Sequence, residues 1–310
     1  MKIYYKQVLK EWLIDKEKVV KITTFYKYQS VIEGNIEPVL GNIIFKKIKE
    51  IDINNFFVDK RIVKLSDSTK KLLLIIINSS IMYGVNKKYR KSIPVFKIKI
   101  KHPKASIVYL SKKEQNILEQ YINDNVNLNN LAILIDLYTG LRIGELCALQ
   151  WKDIDFINNT ISITKTVQRI KNNDINSNNK TKLVINSPKT EHSIRVVPIP
   201  KFLITILKQY SDADDIFIFT NSYKPKDPRT IEKYFKELLS KCGIRNFVFH
   251  ALRHTFATRS REAGVDIKVL SELLGHSTYK ITLDIYVHTS LDFKKDSVNS
   301  LVKYLKSKSS

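Results

Sequence analysis

The amino-acid sequence predicts an α+β protein that is mostly α-helical, with a helical N-terminal domain followed by a mixed domain that contains a small antiparallel sheet. The chain has 310 residues and 43% hydrophobic content, which is enough to bury two cores. Its apolar residues recur every three to four positions through the first third of the chain and again after Lys201. Between these regions they alternate with polar residues, which is typical of strands.

The N-terminal domain, residues 1–97, is predicted to be a compact helical bundle. Three segments carry apolar residues at helical spacing: VLKEWLIDKEKVV, TTFYKYQSVIEGNI and STKKLLLIIINSSIMYGV. Gly34, Pro38, Gly41 and the polar SDS before Thr69 are expected to break these helices. The longest apolar run, LLLIII, is far shorter than the roughly 18 residues of a membrane span, so no membrane segment is expected.

A basic segment, residues 98–107, is interpreted as the linker between the domains. In KIKIKHPKAS lysines alternate with isoleucines, and a proline follows. We expect this linker to lie along phosphate groups, which its lysines would contact. These lysines are Lys97, Lys99, Lys101 and Lys104. The alternative is an edge strand on which lysines prevent pairing with other chains.

The C-terminal domain, residues 108–310, begins with a helix start signal. Ser111 and Glu114 in LSKKEQNILEQYI have the spacing of a capping box. A second helix, NLAILIDLY, is expected to end at Thr139 and Gly140, and another to begin at once in LRIGELCALQW. After Lys201, helices are predicted in ITILKQY, RTIEKYFKELLSKCG, HALRHTFATRSREAG, IKVLSELLG and ITLDIYVH.

Alternating segments between these helices predict the small antiparallel sheet. DFINNTISITKT places an Asn-Asn turn between two such runs, and KLVINSPKTEHSIRVVPI places a turn from Pro188 to Ser193 between two more. Each pair of runs is interpreted as a hairpin. The Asn-rich residues 171–180 are interpreted as a flexible loop.

The charge of the chain favours a polyanionic partner. Lys and Arg total 53 against 30 Asp and Glu, a formal net charge of +23, which is expected to attract nucleic acid or a membrane surface. The alternative is AT-rich coding, because Lys, Ile and Asn abound while Arg is sparse. The N-terminus lacks an apolar signal segment, and Cys147 and Cys242 form no CxxC pair, so we expect a reducing, cytoplasmic setting.

Candidate site residues concentrate in HALRHTFATRSREAG. His250 and His254 have the i, i+4 spacing of zinc ligands, but no Glu follows His250 as in HExxH, and Arg253 would place a cation beside the metal. We therefore predict no metal site. Arg142, in TGLRIGEL at a helix start, is placed to face an anion. Two arginines on separate helices would clamp one phosphate; the alternative for each is a salt bridge.

Five motifs follow one another along the second domain: TGLRIGELCALQW, SPKTEHSIRVVPI, HALRHTFATR, LLGHST and DIYVH. In this order they resemble the catalytic domain of the tyrosine recombinases, which include the phage and conjugative-transposon integrases and the chromosome-dimer resolvases. The stretch TTFYKYQSVIEGNIEPVLGNIIFKKI is similar to the helical, SAM-like core-binding domain of the same family. The resemblance implies a site-specific DNA recombinase that integrates or excises a mobile element.

The resemblance also implies which motif residues bind the scissile phosphate and which transfer protons during its cleavage. Arg142 and Arg253 would hold its non-bridging oxygens, and Lys189 would protonate the departing 5′ oxygen. His250 would assist proton transfer and position the phosphate, and His276 would donate a hydrogen bond to it. Such groups stabilise the charge of phosphoryl transfer in place of a metal ion.

Tyr286 in DIYVH is the nucleophile that the resemblance implies, and nearby Tyr279 is its main competitor. A tyrosine has a pKa near 10, so only about 0.1% is phenolate at pH 7, an activation cost of roughly 4 kcal/mol that concentrated positive charge lowers. Glu145, one helical turn after Arg142, resembles the acidic residue that supports the site. The alternative for Glu145 is a plain surface carboxylate.

No cofactor is expected, because transfer through a phosphotyrosine retains the phosphodiester energy without metal or ATP. The implied partners are double-stranded DNA with inverted-repeat core sites, a homotetramer on that DNA, and accessory DNA-bending proteins. A terminal helix with an apolar stripe is predicted to pack on its own domain or to dock into a neighbouring protomer. The stripe consists of Val298, Leu301, Val302 and Leu305.

Three other functions remain as alternatives at this point: a chromosome-dimer-resolution recombinase, a type IB topoisomerase-like enzyme, and a non-catalytic DNA-binding protein. A topoisomerase would share the tyrosine and much of the site but would relax supercoils without pairing two DNA sites. A binding protein would keep the charge and would tolerate loss of the Tyr286 hydroxyl. The helical first domain and the complete set of motif residues favour recombination.

Overall fold

The computed structural model of the chain describes residues 2–92, 107–172, 179–187, 193–276 and 278–286, together with Val298, Asn299 and Val302. The chain divides into two compact units, Met1–Ala105 and Ser106–Ser310. None of the helices in the described ranges has the length and apolarity needed to cross a membrane. The predicted linker lysines lie outside the described residues: Lys97, Lys99, Lys101 and Lys104.

The N-terminal unit is built from helices around one hydrophobic core. The α-helices are α1 (Tyr5–Glu17), α2 (Ile22–Val31), α3 (Glu37–Leu40), α4 (Glu50–Val58), α5 (Lys60–Val63) and α6 (Asp67–Asn86). Polar contacts fix α1 against α6: the hydroxyls of Tyr5 and Ser80 lie 2.7 Å apart, and Trp12 Nε1 donates to Ser79 Oγ at 3.0 Å. Apolar burial thus holds this bundle together, and these hydrogen bonds set the register of its two longest helices.

The helix break predicted at Gly34 is wrong. Helix α2 continues through a π-helical turn, Ile32–Ile36, directly into α3. Pro38 has no N–H, and in a regular α-helix its ring would clash with the carbonyl of Gly34. The wider π turn lies where that clash would occur, so the chain stays helical up to Leu40.

The C-terminal unit contains eight further α-helices within the described residues. They are α7 (Lys112–Asp124), α8 (Leu128–Thr139), α9 (Ile143–Leu146), α10 (Lys201–Lys208), α11 (Pro228–Lys241), α12 (Ala251–Glu262), α13 (Ile267–Leu274) and α14 (Tyr279–Tyr286). The predicted capping box of α7 is confirmed: Ser111 Oγ accepts from the Glu114 N–H at 3.2 Å, and the Glu114 carboxylate accepts from the Ser111 N–H at 2.7 Å.

Within the described residues the strands form two small antiparallel sheets rather than one. They are β1 (Ile154–Asp155), β2 (Thr160–Ile163), β3 (Thr166–Lys171), β4 (Thr181–Asn186) and β5 (Arg195–Pro198). The first sheet has the order β1-β2-β5, and β3 pairs with β4 in the second. Asn159 has a φ of 56° between β1 and β2, which agrees with the predicted Asn-Asn turn.

The hairpin predicted across Pro188 to Ser193 is wrong, because β4 pairs with β3 while β5 pairs with β2. Val197 lies opposite Ile161 in the β2–β5 register, and both are buried in the core. Strand β4 is half-buried or exposed along its length. The segment between β4 and β5 therefore connects two different sheets.

Helix α8 lies at the centre of the C-terminal unit. Its residues are buried without interruption from Asn130 to Leu137, so every side of the helix is covered by the core. Helices α7, α9, α11 and α12 pack against it. This packing brings the C-terminal end of α8 and the first turn of α12 close together, and Arg142, Glu145, His250 and Arg253 lie at these two ends.

Candidate active site

Arg142 and Glu145 lie at the start of α9, just after α8 ends at Gly140. Gly140 has a φ of 61°, and a Cβ there would lie 2.5 Å from the Phe256 ring, so this turn requires glycine. The Glu145 carboxylate accepts from both the backbone N–H and the guanidinium of Arg142, at 3.1 and 2.8 Å. Arg142 also donates to the Gly275 carbonyl at 3.1 Å. Its side chain keeps 38% exposure while these contacts orient it.

Glu145 is 3% exposed and is therefore not a surface carboxylate. Its second partner is Arg195 on β5, whose Nη2 lies 2.9 Å from Glu145 Oε2. Burial raises the pKa of the Glu145 carboxyl, but the guanidinium of Arg195 and then that of Arg142 outweigh burial and hold the pKa below its ordinary value. Glu145 is therefore ionised at neutral pH and fixes two arginines.

Arg195 was missed by the sequence interpretation, although it lies within one of the five motifs. Its Nε donates to the Leu273 carbonyl at 2.6 Å, so it connects β5, α9 and the end of α13. The available signal was alternation: Arg195 shares a strand face with buried Val197. An arginine at an inward strand position requires buried acceptors, and here the Glu145 carboxylate and a backbone carbonyl supply them.

Arg253, the third residue of α12, is 2% exposed. Its Nη1 donates to the Gly140 carbonyl and its Nη2 to the Leu274 carbonyl, both at 2.7 Å. The guanidinium thus connects the ends of α8 and α13. Such a held donor group costs little reorganisation when negative charge develops beside it.

Asp136 is a second residue that the sequence interpretation missed. It lies fully buried on α8, and no hydrogen bond from the described residues reaches its carboxylate oxygens. Burial raises the pKa of Asp136 well above its ordinary value, and the nearby charge of Arg253 only partly opposes this. The sequence feature that could have identified Asp136 is that it is a single acidic residue within the apolar segment NLAILIDLY.

His250 directly precedes α12, and its ring contacts that of His254. The ring centroids lie 4.7 Å apart with the planes at 81°. Burial of part of the His250 ring, and then the neighbouring His254, Arg253 and Arg142, lower the pKa of His250 to about 4. No group of three His, Cys, Asp or Glu side chains that could hold a metal ion occurs in the described parts of the chain.

His276 follows α13 and hydrogen-bonds on both sides of its ring. Nε2 lies 2.8 Å from Arg253 Nη2, and Nδ1 lies 2.7 Å from Thr282 Oγ1 on α14. A guanidinium can only donate, so Nε2 accepts and the ring proton is assigned to Nδ1. Burial, and then the charges of Arg253, Arg142 and Arg195, lower the pKa of His276 to about 4. The ring is therefore neutral at pH 7.

The low pKa of His276 predicts a pH dependence of stability. An unfolded histidine titrates near pH 6.5 and folded His276 near pH 4, so between these values the unfolded chain binds a proton that the folded chain does not. The free energy of unfolding should therefore fall as the pH drops from about 6.5 to about 4. Between pH 7 and pH 5 His276 alone should contribute a loss of about 2 kcal/mol.

Urea unfolding of wild type and His276→Gln at pH 7 and pH 5 measures this contribution. Other titrating groups affect both proteins alike, so the difference between the two pH dependences belongs to position 276. The variant should lose less stability than the wild type. Equal losses in the two proteins would contradict the assigned protonation of His276.

The structure thus gathers most of the predicted residues into one cluster. Arg142 is hydrogen-bonded to Glu145, and Arg253 to His276. Arg142 and Arg253 also donate to the backbone carbonyls of the two residues that precede His276. His250 contacts His254 on the first turn of α12, the helix that carries Arg253. Tyr286 is the last residue of α14, and Tyr279, 62% exposed, is the first. Lys189 lies outside the described residues.

Positive charge dominates this cluster. Two arginines, Arg142 and Arg195, pair with the one ionised carboxylate, Arg253 adds a third positive charge, and the two histidines with a pKa near 4 are neutral. Fixed guanidinium groups suit the tetrahedral oxygens of a phosphate, and positive charge stabilises phosphoryl transfer. The fold and site therefore define a protein built for phosphoryl transfer on a polyanion.

Comparison with known proteins identifies the family. Residues 108–292 match the phage integrase family, and residues 4–62 match the phage integrase N-terminal SAM-like domain. A tyrosine recombinase XerC-like protein of Caldanaerobacter subterraneus subsp. tengcongensis is 30% identical over 94% of this chain and 80% of its own length. The chain therefore belongs to the phage integrase family and is a tyrosine recombinase, which confirms the enzyme class that the five motifs predicted.

Two solved structures confirm the predicted fold class. An integrase of transposon Tn1549 in complex with transposon right end DNA has a TM-score of 0.77 at 22% identity, covering 97% of this chain and 100% of that one. A lambda integrase tetramer bound to a Holliday junction has a TM-score of 0.67 at 16% identity, covering 94% of this chain and 80% of that one.

Proposed function

We propose that this recombinase cuts and rejoins double-stranded DNA at inverted-repeat core sites through a 3′-phosphotyrosyl intermediate, and so integrates or excises a mobile element. The observation that carries the proposal is the arginine pair: Arg142 and Arg253 stand on separate helices, and each is fixed by buried acceptors. The helix that ends at Tyr286 is joined to the same cluster through His276.

In this proposal the two arginines bind the non-bridging oxygens of the scissile phosphate. Arg142 is the more exposed of the two, and Glu145 holds one edge of its guanidinium. Arg253 is buried and rigid. A positioned donor of this kind typically contributes about 10² to 10³ in rate. His276 would add a hydrogen bond to the phosphate when its Nε2 gains a proton and separates from Arg253 Nη2, a protonation that the negative charge of DNA favours.

The proposed chemistry has two balanced steps. The Tyr286 oxygen attacks phosphorus, its proton passes toward His250, and the 5′ oxygen departs with a proton from Lys189. The lowered pKa of His250 keeps its ring neutral at pH 7, which is the form that accepts a proton. A 5′ hydroxyl from a second duplex then attacks the phosphotyrosine and gives its proton to Lys189, while the departing Tyr286 oxygen takes a proton from His250, so that a phosphodiester bond is restored and Tyr286 is released.

The same proposal assigns a role to each part of the chain and predicts how the protein assembles on DNA. Residues 1–97 would bind the core DNA, the basic linker 98–107 would lie along the backbone, and residues 108–310 would perform the chemistry. The net charge of +23 supports phosphate contacts along a duplex. We propose a homotetramer on two paired sites, assisted by DNA-bending proteins, in the cytoplasm of a bacterial or phage-infected cell, with the terminal helix as the element that links protomers.

A suicide-substrate assay tests the proposed function. The probe is a duplex from the DNA that flanks the coding sequence, nicked near the crossover so that the cleaved end diffuses away, without added metal. We expect a protein–DNA band that survives denaturing electrophoresis, disappears on proteolysis and carries the DNA by its 3′ end. Absence of this band on DNA that a gel shift shows to be bound would overturn the proposal.

A further inference from the structure

A chain of hydrogen bonds joins α14 to the buried arginine. Thr282 Oγ1 lies 2.7 Å from His276 Nδ1, and His276 Nε2 lies 2.8 Å from Arg253 Nη2. Thr282 is 0% exposed, so water does not compete for its hydroxyl. Three separate elements, α12, the turn after α13, and α14, thus meet through a single imidazole.

Each bond in this chain has a defined direction. The guanidinium of Arg253 can only donate, so His276 Nε2 must accept, and His276 Nδ1 must donate to the Thr282 oxygen. A neutral ring could carry its proton on Nε2 instead, and the Thr282 hydroxyl, which can also donate, would then bond to Nδ1. That Nε2–H would face an Arg253 N–H, and two donors cannot share a hydrogen bond. Arg253 therefore sets the tautomer of His276, and the Thr282 oxygen accepts from the buried Nδ1–H that this tautomer presents.

Thr282 also lies near Tyr286 along helix α14. It precedes Tyr286 by four residues, which is one helical turn or about 6 Å along the axis. A restraint at Thr282 therefore acts on the last turn of α14, where the proposed nucleophile stands.

We propose that Thr282 is a positioning residue: by accepting a hydrogen bond from His276 Nδ1–H it holds the His276 ring against Arg253 and fixes the distance of the last turn of α14 from Arg253. This inference rests on the proposed function, since it takes Tyr286 as the nucleophile. A misplacement of about 1 Å between reacting groups can cost on the order of 10² in rate. Loss of the hydroxyl should therefore slow cleavage without weakening DNA binding.

The test compares two substitutions in the full-length protein. Thr282→Val keeps the shape of the side chain and removes the hydroxyl, and Thr282→Ser keeps the hydroxyl. Proton–nitrogen NMR of histidine-labelled protein at pH 7, with His276 assigned through His276→Gln, reports whether the His276 Nδ1–H is held in a hydrogen bond, because such a ring proton is shifted downfield and exchanges slowly with water. We expect a shifted, slowly exchanging Nδ1–H in wild type and in Thr282→Ser, and its loss in Thr282→Val. An unchanged Nδ1–H resonance in the valine variant would overturn the proposal.

Single-turnover cleavage of the nicked duplex, at saturating protein, gives the second measurement. Thr282→Val should be slower by roughly 10- to 100-fold with unchanged affinity for the duplex, and Thr282→Ser should recover to within about threefold of wild type. In a His276→Gln background Thr282→Val should have little further effect, because Thr282 acts through that ring. Wild-type speed in Thr282→Val, or equal slowing by Val and Ser, would overturn the proposal.

The two measurements separate this inference from the proposed function. If the wild type forms no covalent band on bound DNA, the proposed function fails, while the NMR comparison still decides whether Thr282 holds the His276 Nδ1–H. If the wild type cleaves and the valine variant cleaves equally fast with its Nδ1–H resonance unchanged, the recombinase function stands and the role of Thr282 fails.

Discussion

Tyr286→Phe is expected to abolish covalent attachment to DNA. Phenylalanine keeps the ring but lacks the oxygen that would attack phosphorus, and removal of a nucleophile typically costs more than about 10⁴-fold in rate. The nicked-duplex assay should show no covalent band for this variant, while a gel shift on intact duplex should show unchanged affinity. DNA binding should persist because phosphate contacts, not the phenol, dominate it.

Tyr279→Phe is the matched control, because it makes the same chemical change on the same helix. Tyr279 is the first residue of α14 and is 62% exposed, so its hydroxyl should be dispensable. Cleavage by this variant should stay within about twofold of wild type. A covalent band from Tyr286→Phe together with loss of the band in Tyr279→Phe would move the nucleophile to the other end of the helix.

Arg253→Lys should reduce both stability and cleavage. Lysine cannot reproduce the forked contacts of the guanidinium with the Gly140 and Leu274 carbonyls, and it leaves buried acceptors unpaired. Each such group costs about 1 to 3 kcal/mol, so we expect a loss of about 2 to 4 kcal/mol in the free energy of unfolding. The cleavage rate at saturating protein should fall by about 10² to 10³.

Arg142→Lys makes the same change at the other arginine and should separate these two effects. Its side chain is 38% exposed and its ion pair reaches solvent, so the stability loss should stay below about 1 kcal/mol. The cleavage rate should still fall by about 10². Urea unfolding and single-turnover cleavage of both variants give the comparison. Equal stability losses, or wild-type cleavage by either lysine variant, would contradict these assignments.

Local signals in the sequence predicted much of the fold. The Ser111 capping box, the end of α8 at Gly140 and the Asn159 turn each depend on a few neighbouring residues, and the structure has all three. The pairing of β5 with β2 depends on which apolar faces meet in the core, so turn residues between β4 and β5 predicted the wrong partner. The break at Gly34 failed because a π turn accommodates Pro38.

Sequence signals likewise predicted some residues of the site and missed others. Arg142, Arg253 and His276 stand in sequence motifs and lie together in the structure, although their roles in cleavage stay predictions. Arg195 was missed because it acts through a partner that is distant in sequence: it lies 50 positions from Glu145. Thr282 lies near His276 in sequence, but the helical pattern of α14 does not show that the two side chains meet. Periodicity shows that such a residue lies on the buried face of its helix or strand, but it does not show which side chain it contacts there.

The buried acid on α8 has a consequence for the electrostatic potential at the surface of the site. Because burial raises the pKa of Asp136 well above its ordinary value, its neutral form persists to higher pH than in an exposed aspartate, and in that form it does not reduce the positive potential of Arg253 toward an approaching phosphodiester. A raised carboxyl pKa contributes stability at low pH that is lost as the pH rises. Ionisation of Asp136 as the pH rises would therefore weaken the fold and the attraction for DNA together, so both properties should respond to the protonation of one carboxyl inside the core.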